Sequence, residues 1–363
     1  MDANEQTLPS DAIHASRRGV LKGLAAGAVG AGAIPGLSAV GARAAEATPA
    51  PPAGFVAIAP VSPDYFIPGR FAGKVLLVTG AATGTAAQGI TSPDHRMSIG
   101  AATAIRAARE GARVACVDVK RDGLADTLDR IARAGGTAVA IEADVTSSDD
   151  ADRMVAETLS AFGKIDLALN AAGVLDGTDP AVPVDYDADR ALLPAPIHEA
   201  TDAYWERVMA VNATGVFKSL RAELRQLLRQ GTGGAIVNIG SIAGLTGLNG
   251  NPAYSASKHA VTGITRNAAL DYARYGIRVN SVNMAQTDTP MVFRANAFVK
   301  WARANRPGGG EILKQMSVLQ LVNPAHPGAT PWEQAAPILF LLSPDASDLT
   351  GGIYATEGGW TAY

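Results

Sequence analysis

The chain of 363 residues contains one cysteine, Cys116, so no disulfide can form within it, and no Cys/His spacing resembles a zinc site. Cys116 lies in an apolar, strand-like run, where a buried, inert thiol is the expected state. Charged residues make up only 18% of the chain and nearly balance, to a net charge of −3. No basic run occurs beyond the amino terminus, which excludes the footprint of a nucleic-acid binder and leaves a small molecule as the expected partner. Strongly apolar long runs are lacking too. The one candidate, Gly23–Gly41, holds nineteen uncharged residues of which twelve are Gly or Ala, too weakly apolar for stable membrane insertion. What is present is 47% hydrophobic residues, enough for a large core in one long α/β unit with appendages.

Residues 1–44 stand apart. Ser16-Arg17-Arg18-Gly19-Val20-Leu21-Lys22 resembles the twin-arginine export motif, the Gly/Ala run follows, and Ala42-Arg43-Ala44 offers an A-x-A cleavage site. The resemblance implies a signal peptide, a mature chain starting near Ala45, and export to the periplasm already folded with any cofactor loaded. An uncut signal would leave a tethered protein, and a non-functional one a cytoplasmic protein. Residues 45–70 carry six prolines between Pro49 and Pro68, which predicts an extended arm that Phe55, Tyr65 and Phe66 can pin to the domain or to a neighbouring subunit.

The chemistry concentrates between Ile236 and Lys258. Ile236-Val237-Asn238-Ile239-Gly240 reads as a buried strand that delivers Ser241 to its carboxyl end, where open α/β sheets place their ligands. Pro252 then opens a helix, and Tyr254 and Lys258, four residues apart, project from one face of it. A free tyrosine with a pKa of ~10 is a poor base, and an ammonium within ~4–6 Å lowers that value, which is the role open to Lys258. With Ser241 donating a hydrogen bond to a substrate oxygen, Tyr254 can move a proton to or from that oxygen while a hydride leaves or joins the carbon. A Y-x-x-x-K pair alone is an ordinary amphipathic face, so the surrounding motifs decide.

Taken in order with those motifs, Ser241, Tyr254 and Lys258 strongly resemble the short-chain dehydrogenase/reductase family over about residues 70–360. The resemblance implies a single Rossmann-like, doubly wound parallel α/β sheet with helices on both faces across residues 71–363. It implies NAD(H)-dependent exchange between a secondary alcohol and a ketone, no metal, and a homotetramer or homodimer. Tyr254 would be the general acid/base, Ser241 the substrate-oxygen donor, Lys258 the pKa modifier and ribose ligand, and Asn212 the anchor of a relay water. For the cofactor, Lys74–Thr79 is a first strand leading to Gly80 and Gly84, and the helix signal resumes at Ile99-Gly100. Asp118 ends the strand Arg113–Asp118, where a carboxylate accepts from the ribose hydroxyls of NAD and repels the extra phosphate of NADP, while Lys120 and Arg121 pull the other way. Asp144 and Val145 follow the strand Thr137–Glu142 and match an adenine-contacting turn. Asn170-Ala171-Ala172-Gly173, after Ile165–Leu169, matches the turn in which Asn170 ties strands and the small residues admit the cofactor. Thr289, with Thr287 as the alternative, matches the threonine that bonds the nicotinamide carboxamide.

The chain departs from the family pattern in three places. Residues 85–98 split the glycine motif as a fourteen-residue insertion, either a solvent loop or a flap over the pyrophosphate using His95 and Arg96. The stretch between Gly173 and Glu199, with Pro180, Pro183, Pro194 and Pro196, is longer than usual and is expected as a second surface insertion, and Met284-Ala285 replaces a Pro-Gly pair. Residues 291–330 are expected to form the substrate lid, with Met291, Phe293, Phe298, Trp301 and Met316 as either an apolar wall or ordinary core, and Pro307–Gly310 as a hinge. The split glycine motif and lost Pro-Gly pair keep a rival open, a non-catalytic nicotinamide-binding or assembly protein. The complete set of Asn212, Ser241, Tyr254 and Lys258 argues for the enzyme.

Overall fold

The computed structural model describes residues 59–84, 90, 96–305 and 328–362. Its strands are β1 (Val75–Thr79), β2 (Arg113–Asp118), β3 (Thr137–Glu142), β4 (Leu167–Asn170), β5 (Gly234–Ile239), β6 (Ile277–Met284) and β7 (Ile353–Thr356). They form one sheet in the order β3-β2-β1-β4-β5-β6-β7, with all neighbours parallel. Parallel pairing needs long crossovers, and helices supply them. These are α1 (Ile99–Arg109), α2 (Arg121–Arg133), α3 (Ser148–Phe162), α4 (Asp202–Met209), α5 (Val216–Gln230), α6 (Pro252–Tyr272), α7 (Pro290–Asn305) and α8 (Pro331–Leu342).

Strand β1 shows why helices cover both faces. Successive side chains of a strand point to opposite sides. Leu76 and Val78 join a core with Ala104 of α1, Leu124 of α2 and Leu339 of α8, whereas Leu77 joins Met154 of α3 and Ala222 of α5. The doubly wound sheet expected from the sequence is therefore what forms. The strand order reverses between β1 and β4, and their carboxyl ends frame the crevice where such sheets bind ligands.

Two departures from the expected elements have a visible physical cause. Strand β4 starts at Leu167 rather than Ile165, because the Gln230 side chain occupies both backbone groups of Ile165: the N–H donates to Oε1 (2.9 Å) and Nε2 donates to the carbonyl (2.7 Å). The long helix starting after Thr201 changes winding, with a π turn over Ala210–Gly215 between α4 and α5. Such turns concentrate at functional sites, and this one carries Asn212.

The arm is pinned as the aromatics predict. The guanidinium groups of Arg106 and Arg109 lie 4.8 Å from the ring centres of Tyr65 and Phe66, and buried Glu110 accepts from Arg70, Arg106 and the Ile67 N–H. Phe55 lies outside the described residues, as do residues 1–44, His95, Met316 and Pro307–Gly310. No helix among the described residues is long and apolar enough to cross a membrane.

Candidate active site

The carboxyl ends of the strands build one cleft. Its wall carries Gly80 after β1, Asp118 at the end of β2, Asp144 and Val145 after β3, and Ala171 and Gly173 after β4. Ile99 and Gly100 join them from α1, Ser241 from the end of β5, Tyr254 and Lys258 from α6, and Thr287 and Thr289 from the turn before α7.

Ser241 is extended (φ −166°), and its Oγ accepts the Ala243 N–H at 3.1 Å, which fixes the hydroxyl at the head of a short turn. Pro252 starts α6 as expected, so Tyr254 falls in its first turn and Lys258 one turn on. Lys258 is buried, and its Nζ donates to the Ile239 carbonyl at 2.9 Å and stands 5.6 Å from the Tyr254 ring centre. The expectation that Lys258 holds the Tyr254 phenol below its ordinary value is corrected. Burial pushes Tyr254 up, with the hydrogen bond to Ser241 opposing it, and burial pulls Lys258 down to about 8. Desolvation penalises both charged forms, so it weakens the cation that would have done the lowering.

Asn212 stands behind the cleft wall, fully buried. Its Oδ1 accepts the Val174 N–H (2.8 Å), and its Nδ2 donates to the Val174 carbonyl (2.8 Å) and Ser257 Oγ (3.1 Å). A Cβ on Gly173 would come within 3.3 Å of Asn212 Oδ1 and 3.7 Å of Lys258 Nζ. The bare backbone at Gly173 lets the turn after β4 close onto both.

At the other end, Ser98 caps α1: its Oγ accepts the Ala101 N–H (3.0 Å) and donates to the Gly80 carbonyl (3.3 Å). Gly80 has φ +70°, and an added Cβ there would lie 2.6 Å from the Ala171 carbonyl carbon; one on Gly100 would lie 2.2 Å from the Gly80 oxygen. Glycine is required because three stretches of backbone pack against one another, before any ligand is considered. The helix start keeps N–H groups beyond the one that Ser98 satisfies, a donor end suited to a phosphate. Asp118 accepts the Ala82 N–H on Oδ2 (3.0 Å) and the Lys120 N–H on Oδ1 (3.1 Å), and each oxygen has a second lone pair to offer. A donor helix end, a glycine cradle and an acceptor carboxylate along one cleft fit a dinucleotide.

Two expected cofactor residues do not reach the cleft. The Gly84 N–H is taken by the Arg96 carbonyl (2.6 Å), which closes the base of the insertion, and Arg96 Nε donates to the Ile90 carbonyl (3.1 Å). Asn170 is buried, and its Nδ2 donates to Asn238 Oδ1 and Glu223 Oε2, both at 3.0 Å, so it ties β4 to β5 and α5. Ser98 belongs to the helix cap rather than to a loop, which a serine directly before an Ala-rich helix signals. Sequence reasoning also missed Asp176, Arg207 and Arg294 on the cleft wall. Asp176 and Arg294 meet only in the folded chain and leave no local pattern.

A family model described as Enoyl-(Acyl carrier protein) reductase matches residues 95–361. A 3beta-hydroxysteroid dehydrogenase of Mediterraneibacter gnavus is 37% identical over 308 residues, which is 82% of this chain and 98% of that protein. The cyclohexanol dehydrogenase of an Acinetobacter species is 33% identical over 295 residues, 81% of this chain and 97% of its own. The crystal structure of an NAD+-bound xylitol dehydrogenase matches with a TM-score of 0.64 at 30% identity, covering 80% of this chain and 99% of that one. The chain belongs to the short-chain dehydrogenase/reductase family. Its relatives are dehydrogenases and reductases, which supports an oxidoreductase and disfavours a silent binding protein.

Proposed function

We propose that this protein interconverts a secondary alcohol on a ring and the matching ketone, with NAD(H) as its redox partner. The observation that carries the reading is that Ser241, Tyr254 and Lys258 share one cleft with Gly80, Gly100 and Asp118. Gly80, Ile99 and Gly100 would hold the pyrophosphate, Asp118 the adenosine ribose, and Asp144, Val145, Ala171 and Gly173 the adenine side. Tyr254 and Lys258 would bind the second ribose and Thr289, or Thr287, the carboxamide. Bound NAD supplies a nicotinamide carbon that takes or gives a hydride. The protein's part is the proton: Tyr254 Oη takes it from the alcohol during oxidation and returns it during reduction, while Ser241 donates to the same oxygen. Asn212 would anchor a relay water near Lys258. Because burial raises Tyr254, its protonated form prevails at neutral pH, so reduction starts from the resting state and oxidation gains as pH rises.

Asp118 on the cleft wall supports NAD over NADP. The ring preference is supported by the apolar wall residues Val174, Leu175, Met291 and Val292, and by the substrates named for the steroid and cyclohexanol relatives. Residues 1–44 are proposed as an export signal to the periplasm and the assembly as a homotetramer, on the sequence alone. Sequencing the amino terminus of periplasmic protein checks the first. For the reaction, desalted protein is mixed with NAD and cyclohexanol or a 3β-hydroxysteroid, and reduced nicotinamide is followed by absorbance. Reduction is expected, and faster with NAD than with NADP; cofactor that binds but is reduced by neither alcohol overturns the reading.

A further inference from the structure

The substrate side of the cleft is walled by two segments far apart in the chain, residues 174–180 after β4 and the start of α7. We propose that Arg294 is a positioning residue that holds these two walls at one separation and thereby sets which ring systems the pocket accepts. The inference rests on the function proposed above. Arg294 directs its donors onto the second insertion, the long stretch between Gly173 and Glu199: Nη1 donates to the carbonyls of Val182 (2.8 Å) and Asp179 (3.3 Å), Nη2 to Thr178 Oγ1, and Asp176 Oδ1 stands 3.7 Å away. Thr178 in turn donates its N–H and its hydroxyl to Asp176 Oδ1, so the cluster closes on itself. The side chains of Arg294 and Asp176 are only 12% and 16% exposed. A planar guanidinium serves several acceptors from one position, which a lysine cannot.

A second tie lies two helical turns further along α7. The ring of Tyr186, from the same insertion, stacks on Trp301 with centres 5.3 Å apart at 21°, and Phe298 lies 6.2 Å away. Positions 294 and 301 are seven residues apart, so both project from one side of the helix. Insertion and α7 are thus clasped at two points, and the apolar wall lies at the Arg294 end. There Val174, Leu175 and Pro180 share the cleft with Pro290, Met291 and Val292, while Asp176 and Arg294, on the same wall, offset each other's charge.

Arg294→Met and Arg294→Lys, kept as full-length protein, test the proposal with cyclohexanol and epiandrosterone as probes. A large rigid substrate needs the whole wall and a small ring does not. For Arg294→Met the expected result is a rise of about tenfold in KM for epiandrosterone against a smaller rise for cyclohexanol, with kcat moving less than KM and the lysine variant intermediate. Hydrogen exchange without substrate should quicken in residues 176–186 and 290–300 together. Equal KM changes for both alcohols, or unchanged exchange while turnover persists, overturn the role of Arg294 alone. A wild-type protein that turns over neither alcohol sinks the proposed function, and the ring selection falls with it.

Discussion

The two ends of the cleft are built from different materials. The cofactor end is backbone against backbone. Gly80 meets Ala171, Gly100 meets Gly80, the Ala81 N–H reaches the Val117 carbonyl and the Thr83 N–H reaches that of Gly123, both at 3.1 Å. The substrate end is held by side chains, the Arg294 fork and the Tyr186 stack. A backbone-built site leaves no room to vary, since any Cβ collides with a carbonyl that cannot swing away. A side-chain-built site can be retuned one residue at a time while the reaction stays the same.

Mutations at the two ends should therefore have different consequences. The largest effect belongs at the junction of the two ends: Tyr254→Phe should cut kcat/KM by about 10²–10⁴-fold while NAD still binds, as checked by steady-state kinetics and cofactor titration. Next comes Gly100→Ala, whose methyl would lie 2.2 Å from the Gly80 oxygen. It should abolish cofactor binding and cost about 1–3 kcal/mol in denaturant unfolding, with exchange in the Arg294 clasp unaltered.

Beneath the cofactor end, burial raises buried Glu223 to about 7 against the hydrogen bond from Asn170. A carboxyl raised in the folded state stabilises fully below its unfolded value of about 4.3, and that contribution is lost as pH climbs towards about 7. Among the described residues neither Glu223 Oε1 nor Asn170 Oδ1 has a hydrogen-bond partner, and a glutamine at 223 can turn its Nε2 towards Asn170. Glu223→Gln should flatten the pH–stability curve between those values and raise stability at pH 8 by up to about 3 kcal/mol, read by thermal unfolding across pH. The smallest effect is expected at Asp118, where Asn should shift the NAD:NADP preference towards NADP by about tenfold, or ~1.4 kcal/mol.

The same division explains what could be read in advance. Strands β2 and β3, β1 to within one residue, Pro252 at the head of α6 and the Tyr254/Lys258 spacing are local patterns, and they formed where expected. The missed features depend on distant partners. Gln230 trims β4 from sixty-five residues away, and Arg294 finds Thr178 across 116. Lys258 shows the same limit in energetic terms: its four-residue spacing from Tyr254 was legible, but the burial that sets the charge of both was not.

The most direct test of the central claim is label transfer. Cyclohexanol and a 3β-hydroxysteroid, each deuterated at the carbinol carbon, are incubated with the protein and NAD, and the nicotinamide product is analysed by mass spectrometry. Deuterium is expected in the reduced nicotinamide with the wild-type chain and at about background in Tyr254→Phe, given the ~10²-fold or larger deficit expected. Bound NAD that acquires no label from either alcohol would contradict that claim.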